Sequence, residues 1–317
     1  MSLNDIRLTP NSDRDQTVSQ QQQDVEFASG TILVRGWLRL PTGSGPYPLV
    51  VLAHGMGGLK EWTIPEVATA LVDAGIAALA FDYRNFGDSE GMPREEIDHC
   101  GQIEDFRSAI SFATTLAEID PERIGIWGTS LGGRNVLAVA ALDRRVKCVL
   151  SQVPALFNVT PAMRALMAIG SPDVEEFNRL LAQDRRDRAL GKAPIYLPID
   201  AHNGDHAAYW STFGEAERRN FNLRMTLRSF EPTPADDITG LVKIISPTPL
   251  RMILTDRDTM CNTNYQLEVF ATALEPKSLM VLPGNHYALY LDGKEASIAA
   301  AREWFVTHLK PETAIAA

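Results

Sequence analysis

The chain has 317 residues, of which 45% are hydrophobic and 22% are charged, a composition typical of a globular protein with a sizeable core. Its formal net charge of −10 and its pI near 5.1 argue against nucleic acid or an anionic membrane surface as a partner. No apolar run reaches the ~20 residues that span a bilayer. We therefore expect a small-molecule partner, and the sequence leaves open whether the chain forms an oligomer.

The N-terminal segment, residues 1–24, is polar, carries a glutamine tract and lacks the apolar core of a signal peptide. We expect it to be a mobile arm. The three cysteines, Cys100, Cys148 and Cys261, form neither a disulfide framework nor a metal-ligand spacing. These features predict a cytoplasmic protein with no metal and no other cofactor.

Short apolar runs alternate with helix-favouring segments through the first half of the chain. An extended segment over residues 25–40 and a Pro/Gly turn precede this alternation. The predicted order is strand 48–53, helix 64–74, strand 76–81, helix 97–117, a strand ending at Trp127, helix 131–142 and strand 146–151. Continuous apolar strands separated by helices predict an α/β fold with a mostly parallel sheet covered on both faces.

The alternation stops between residues 154 and 241, where helical patches follow one another without a clear strand. It resumes with strand 249–255, helix 264–274, strand 278–282 and helix 295–309. We therefore predict an α/β core formed by residues 25–153 and 242–317, with residues 154–241 inserted over the sheet as a mainly helical cap.

The segment Gly128-Thr-Ser-Leu-Gly132 follows an apolar strand and opens a helix. This strand–turn–helix context is typical of a nucleophile elbow, in which the serine lies on a tight turn with helix N–H groups behind it. The pattern predicts Ser130 as a covalent nucleophile for acyl transfer. The alternative interpretation is an ordinary glycine-rich turn.

A serine nucleophile needs a base, and the base needs a carboxylate that fixes its tautomer. His286 directly follows one predicted strand, and Asp256 and Asp258 follow another. The carboxyl ends of parallel strands share one edge of the sheet, where open α/β sheets bind ligands. We expect Asp258, further into its loop, to orient His286, and Asp256 to brace the turn.

Five other histidines compete with His286 for the role of base. They are His54, His99, His202, His206 and His308. None of them both follows the acid along the chain and lies at the end of a predicted strand. His202 and His206 have the spacing of one helical turn, which suits a metal. Gly204 between them and the lack of a clear third ligand argue against such a site.

The oxyanion formed by attack on a carbonyl needs preorganised donors. The first predicted donor is the N–H of Leu131, the residue after the nucleophile. The second is the N–H of Met56, within the glycine-rich loop that follows the strand 48–53. The alternatives are a simple turn or a phosphate-binding loop, but no Gly-Lys-Ser/Thr sequence follows to support the latter.

Three spaced segments carry a resemblance to a known family: His54-Gly-Met-Gly-Gly-Leu-Lys-Glu, Phe81-Asp-Tyr-Arg-Asn-Phe-Gly-Asp-Ser-Glu-Gly and Gly128-Thr-Ser-Leu-Gly-Gly. The chain resembles the α/β-hydrolases, in particular the dienelactone-hydrolase-like and S15-peptidase-like branch. More narrowly, it is similar to the fungal polyketide transferase/esterase group.

The resemblance implies an eight-stranded sheet with a nucleophile at Ser130, an acid at Asp258 and a base at His286. It also implies that Asp82 and Arg84 brace the loop after their strand rather than react. The acid loop carries Thr255 where relatives commonly have glycine.

Taken together, these features predict a serine hydrolase that cleaves an ester or thioester of a small, largely apolar acyl compound. An acyltransferase that passes the acyl group to an alcohol is the main alternative. The less favoured alternatives are a lyase or cyclase, a peptidase and a ligand receptor. Side chains expected to line the acyl pocket, or alternatively to pack in the core between cap and sheet, are Trp62, Met163, Met167, Trp210 and Phe213.

Overall fold

The computed structural model describes residues 21–156, 160–198, 209, 211–215 and 224–310. Its strands are β1 Gln21–Ser29, β2 Ile32–Leu40, β3 Tyr47–Ala53, β4 Ala77–Phe81, β5 Ile119–Thr129, β6 Val146–Gln152, β7 Tyr196–Pro198, β8 Arg224–Thr226, β9 Leu250–Thr255 and β10 Lys277–Leu282.

The helices of the described part are α1 Ile64–Asp73, α2 His99–Ala113, α3 Leu131–Leu142, α4 Pro161–Ile169, α5 Val174–Ala189, α6 Thr239–Val242, α7 Thr263–Thr272 and α8 Lys294–Leu309. Two 3₁₀ helices, Leu227–Phe230 and Ala288–Tyr290, lie between them. No helix among these residues is long and apolar enough to cross a membrane.

Eight strands form one sheet in the order β1-β2-β4-β3-β5-β6-β9-β10. Strand β2 runs antiparallel to both of its neighbours, and all pairs from β4 to β10 are parallel. Helix α1 packs against α8, and α2 packs against α3. The predicted α/β fold with a mostly parallel, eight-stranded sheet is therefore confirmed.

The central strands form the core because they are apolar along their whole length. Every residue of β4 is buried, as is every residue of β3 after Tyr47. Strands covered on both faces lack a polar face, which explains why their sequences show continuous apolar runs rather than alternation. This buried sheet supplies the rigid edge from which the loops of the site project.

The structure corrects three details of the sequence-based expectations. The N-terminal arm was predicted to reach residue 24, but β1 begins at Gln21 and pairs with β2 over its full length. Residues 154–241 include the antiparallel strands β7 and β8, which are too short to give a sequence signal. Helix α2 ends at Ala113, short of the predicted boundary at residue 117.

Candidate active site

Ser130 lies between β5 and α3, where the chain turns sharply from strand to helix. Its backbone has φ 55°, a left-handed value that non-glycine residues rarely adopt. The N–H of Ser130 donates to Gln152 O, and its carbonyl accepts from the Ala155 N–H, both at 2.9 Å. Neighbouring backbone thus holds the serine in a strained conformation, a feature that clusters at functional sites.

The two glycines of the elbow are required by close packing. A Cβ atom at Gly128 would lie 2.2 Å from the carbonyl oxygen of Gly132. A Cβ atom at Gly132 would lie 2.4 Å from the carbonyl oxygen of His54. Side chains at either position would therefore push α3 away from β5 and from the glycine-rich loop after β3.

The structure brings Ser130, His286 and Asp258 together. His286 Nε2 lies 3.1 Å from Ser130 Oγ, and its Nδ1 lies 2.8 Å from Asp258 Oδ2. His286 follows β10 and Asp258 follows β9, so both stand at the carboxyl edge where β5 also ends. With Nδ1–H donating to the carboxylate, the lone pair of Nε2 faces the serine hydroxyl, which is the tautomer a general base needs.

Several donors hold the Asp258 carboxylate in place. The N–H groups of Met260 and Cys261 donate to Oδ1 at 3.0 and 2.8 Å. The amide of Gln266 in α7 donates to Oδ2 at 3.4 Å and to Pro154 O at 3.1 Å, linking the acid to the loop after β6. Burial alone would raise the pKa of Asp258, but the hydrogen bond and charge of His286 and the N–H groups of Cys261 and Met260 outweigh it and lower the pKa.

The His286 imidazole is buried, which by itself would lower its pKa. Contacts with the Cys261 sulfur and with the Asp258 carboxylate act in the opposite direction, and the net effect raises the pKa above its ordinary value. The Cys261 thiol interacts with both His286 and Ser130. Its burial raises its own pKa, so the thiol form predominates at neutral pH.

Asp256 lies outside this group and braces the loop that carries the histidine. Its Oδ1 accepts the N–H of Gly284 at 2.7 Å, and its own N–H donates to Leu282 O. Asp256 therefore joins the turn after β9 to the turn after β10. Thr255, the residue that departs from the family pattern, is fully buried, and its carbonyl accepts the hydroxyl of Thr263 at 2.7 Å.

The predicted oxyanion donors lie on the two segments that border Ser130. Leu131 is the first residue of α3, and the first N–H groups of a helix have no partner within it. Met56 lines the same cavity as Ser130. A Cβ atom at Gly55 would lie 2.9 Å from Ser130 Cβ, so only glycine lets this loop approach Ser130 so closely.

Buried ion pairs hold the segment that follows β4. The Asp82 carboxylate pairs with Lys60 Nζ at 2.7 Å, and Arg84 pairs with the fully buried Asp105 of α2 at 2.7 Å. Burial would lower the pKa of Lys60, but the nearby carboxylates, Asp82 first, outweigh it and raise the pKa. Asp82 and Arg84 thus brace the loop, in line with the structural role that the family resemblance implies.

A cavity of about 370 Å³ opens beside Ser130 and His286. Sulfur-containing, aliphatic and aromatic side chains form most of its wall: Met56, Trp62, Met163, Leu166, Met167, Tyr209, Phe230, Met260, Tyr287 and Tyr290. The remaining lining residues are His54, Gly55, Gly58, Thr63, Thr129 and Thr259. An apolar wall of this kind, with a few polar groups at one end, suits an acyl chain whose carbonyl meets the serine.

Three of the five predicted lining residues, Trp62, Met163 and Met167, contribute to the cavity wall. Phe213 lies behind it and stacks on Trp62 with ring centroids 4.7 Å apart. Trp210 lies outside the described residues. Methionines supply much of the wall, and their flexible side chains adapt to irregular ligands. The substrate-binding role of these residues remains a prediction.

The competing histidines have other partners. His54 Nδ1 lies 2.9 Å from Gly55 O, His99 lies 3.8 Å from Asp236, and His308 packs edge-on against Trp304. Burial lowers the pKa of His54 and lowers that of His99 to about 4, so both are neutral near pH 7. His202 and His206 lie outside the described residues.

Sequence reasoning missed Lys60, Cys261, Gln266 and Tyr290. Tyr290 lines the cavity, and its hydroxyl lies 2.6 Å from Thr129 Oγ1. Each of these side chains contacts at least one group that is distant along the chain, so no local pattern marks them. Cys261 had a weak signal, because it closely follows the predicted acid in the same loop.

Comparison with known proteins identifies the family. Residues 48–191 match the sequence profile of the α/β hydrolase fold. A thiohydrolase, aneE of Aspergillus aculeatus, is 31% identical over 296 residues, which cover 89% of this chain and 92% of that protein. The chain belongs to the α/β-hydrolase family. Named relatives within it include thiohydrolases, polyketide transferases and an acyltransferase.

Two further proteins are similar to this α/β-hydrolase in structure or in sequence. The crystal structure of GrgF from Penicillium sp. sh18 superposes with a TM-score of 0.78 at 27% identity, covering 91% of this chain and 99% of that one. The quorum-quenching protein AidA of Acinetobacter baumannii is 40% identical over 190 residues, which span 60% of this chain and 61% of that protein. The predicted resemblance to the fungal polyketide transferase group is confirmed.

Proposed function

We propose that this α/β-hydrolase is a serine esterase or thioesterase that works through an acyl-enzyme. His286 takes the proton of Ser130 as the hydroxyl oxygen attacks the carbonyl carbon of an ester or thioester. Asp258 orients the imidazole and stabilises the imidazolium that forms. The N–H groups of Leu131 and Met56 bind the oxyanion. His286 then protonates the leaving alcohol or thiol, and the acyl group remains on Ser130.

Deacylation reverses these roles. A water molecule that reaches the acyl-enzyme gives a proton to His286 and attacks the acyl carbon, which releases the carboxylic acid and regenerates Ser130. The same steps with an alcohol in place of water yield a new ester. Hydrolase and acyltransferase therefore share every residue of the site and differ only in the acceptor that enters the cavity.

The observation that carries the proposal is the chain of two contacts, 3.1 Å from Ser130 Oγ to His286 Nε2 and 2.8 Å from Nδ1 to Asp258 Oδ2. Both distances fall within hydrogen-bond reach, which is the first requirement for proton transfer. The positive φ of Ser130 and the confirmed family support the same interpretation.

The apolar cavity supports a small acyl compound as the substrate. A volume of about 370 Å³ lies at the small end of the range for ligand pockets. A thioester suits the site as well as an oxygen ester, and the thiohydrolase names of two relatives favour it. The polyketide transferase names favour acyl transfer as the second candidate function.

The test uses a fluorophosphonate probe followed by assays on p-nitrophenyl esters and N-acetylcysteamine thioesters of graded chain length. We expect the probe to label wild type and Ser171→Ala, a matched variant outside the cavity, but not Ser130→Ala. Turnover by Ser130→Ala and His286→Ala should fall by about three orders of magnitude or more. Equal labelling of Ser130→Ala would refute the nucleophile assignment.

Product analysis in the presence of an added alcohol separates the two candidate functions. A hydrolase yields mainly the free acid and forms ester only at high alcohol concentration, whereas an acyltransferase yields mainly the new ester at low alcohol concentration. Turnover that persists in Ser130→Ala but not in His286→Ala would instead favour a lyase or cyclase that uses the cavity without acylation.

A further inference from the structure

The Cys261 side chain lies among the reacting groups but has no role in the proposed acyl transfer. The residue is 8% exposed, and its thiol interacts with the His286 imidazole and the Ser130 hydroxyl. The sulfur atom, a ring nitrogen of His286 and a carboxylate oxygen of Asp258 all lie within 4.8 Å of one another. The Cys261 thiol is therefore close enough to His286 and Asp258 to bind a ligand together with them.

These three groups are the ligand types that Zn²⁺ prefers, namely a thiolate, an imidazole and a carboxylate. In a tetrahedral zinc site the sulfur lies ~2.3 Å and the nitrogen ~2.0 Å from the metal, which brings the two ligand atoms within about 4 Å of each other. The spacing of Cys261 and His286 thus requires only a small adjustment of side chains.

We propose that Cys261 and the Nε2 atom of His286 form a binding site for a thiophilic divalent cation such as Zn²⁺, and that occupancy of this site inhibits the enzyme. Asp258 would keep its hydrogen bond to Nδ1 and act as the carboxylate that orients a metal-bound histidine. The hydroxyl of Ser130 or a water completes the coordination. Inhibition, unlike binding, rests on the proposed function.

A cation bound to His286 would inhibit the enzyme because it occupies the lone pair that the base needs. The lone pair of Nε2 that accepts the Ser130 proton is the pair that binds the cation, so the metal-bound imidazole is no longer a base. The Cys261 thiol releases one proton to solvent as its sulfur binds, and no oxidation or reduction occurs. The thiolate and the Asp258 carboxylate together offset the charge of the divalent ion.

The cation reaches the site through the substrate cavity. Both Ser130 and His286 line that cavity, and Nε2 is the ring nitrogen that lies beside Ser130. The other cysteines provide controls. Cys100 is exposed at the start of α2, and Cys148 is fully buried in β6, where burial raises the pKa of its thiol.

The binding test uses Cd²⁺, because a cadmium–thiolate bond has its own ultraviolet charge-transfer absorption. Wild type, Cys100→Ser and Ser130→Ala should each show the band with one equivalent of Cd²⁺. Cys261→Ser and Cys261→Ala should lose it, and His286→Ala should bind Cd²⁺ at least about tenfold more weakly. An unchanged band in both Cys261 variants, or its loss in Cys100→Ser, would overturn the proposal.

The inhibition test measures ester hydrolysis against Zn²⁺ concentration, with each variant compared with its own metal-free rate. We expect Zn²⁺ to inhibit wild type and Cys100→Ser reversibly, with recovery on addition of a chelator. The half-inhibitory concentration should rise at least tenfold in Cys261→Ser. If Cd²⁺ binds as expected but the protein has no esterase or transferase activity, the cation site stands and the proposed function fails.

Discussion

The Nζ atom of Lys60 lies 2.7 Å from Asp82 Oδ2, and the backbone N–H of Lys60 donates to Oδ1 of the same carboxylate at 2.8 Å. Lys60 belongs to the loop after β3 that carries Met56, whereas Asp82 directly follows β4. The fully buried carboxylate therefore ties the loop with the predicted oxyanion donor to the edge of the sheet. The position of Met56 relative to Ser130 depends on this connection.

Loss of the Asp82 charge should affect both stability and catalysis. In Asp82→Asn the buried Lys60 ammonium loses its fully buried carboxylate partner and keeps the more exposed Asp88 and Glu61, so we expect the free energy of unfolding to fall by about 2 kcal/mol. Urea denaturation measures this change, and kcat for ester hydrolysis should fall with it. The matched control is Asp120→Asn, which breaks a more exposed pair with Arg123 and should cost at most about 1 kcal/mol.

The two aspartates after β9 should differ sharply in their effect on turnover. Asp258→Asn removes the carboxylate that fixes the His286 tautomer, and kcat should fall by about 10⁴-fold. Asp256→Asn keeps an acceptor for the Gly284 N–H, and kcat should stay within about tenfold of wild type. Steady-state kinetics on one ester measures both, and a larger loss in Asp256→Asn would reverse the assignment of the acid.

Gln266 should act as a positioning residue for Asp258. Replacement by leucine in Gln266→Leu removes the amide donor that reaches both the carboxylate and Pro154 O. We expect kcat to fall by about tenfold with little change in KM, because the substrate wall stays intact. A change confined to KM, with kcat preserved, would show that Gln266 shapes the cavity rather than the acid.

The pH profile should reflect the raised pKa of His286. The imidazole must be neutral to accept the Ser130 proton, so activity is absent below its pKa and rises as pH increases through it. We expect the half-maximum of kcat/KM to lie above the ordinary histidine value of about 6.5. Since the hydrogen bond and charge of Asp258 contribute to the raised pKa, Asp258→Asn should shift this limb to lower pH.

The methionine-rich wall should set the acyl chain length. Met167→Trp adds bulk to the cavity, so kcat/KM for medium-chain esters should fall at least tenfold more than that for the acetyl ester. Leu190→Trp places the same bulk at an exposed site after α5 and should leave the preference unchanged. An equal loss for all chain lengths would mean that Met167 supports folding rather than selectivity.

The sequence predicted the fold because its signals are local. Buried parallel strands appear as continuous apolar runs, and both glycines of the Gly128–Gly132 elbow lie within one short strand–turn–helix segment. The order of Ser130, Asp258 and His286 could be predicted as well, because each follows a strand and parallel strands end at one edge. Short strands such as β7 and β8 gave no comparable pattern.

The sequence by itself determined the parallel sheet, the turn at Ser130 and the edge of the sheet at which Ser130, Asp258 and His286 meet. Only the tertiary structure decided that Asp258 rather than Asp256 contacts His286, that Lys60 and Asp82 pair, and that Cys261 lies beside Ser130. The physical reason is the separation along the chain of the residues that interact. Backbone periodicity is encoded within a few residues, whereas the distance between two side chains depends on how separate loops pack.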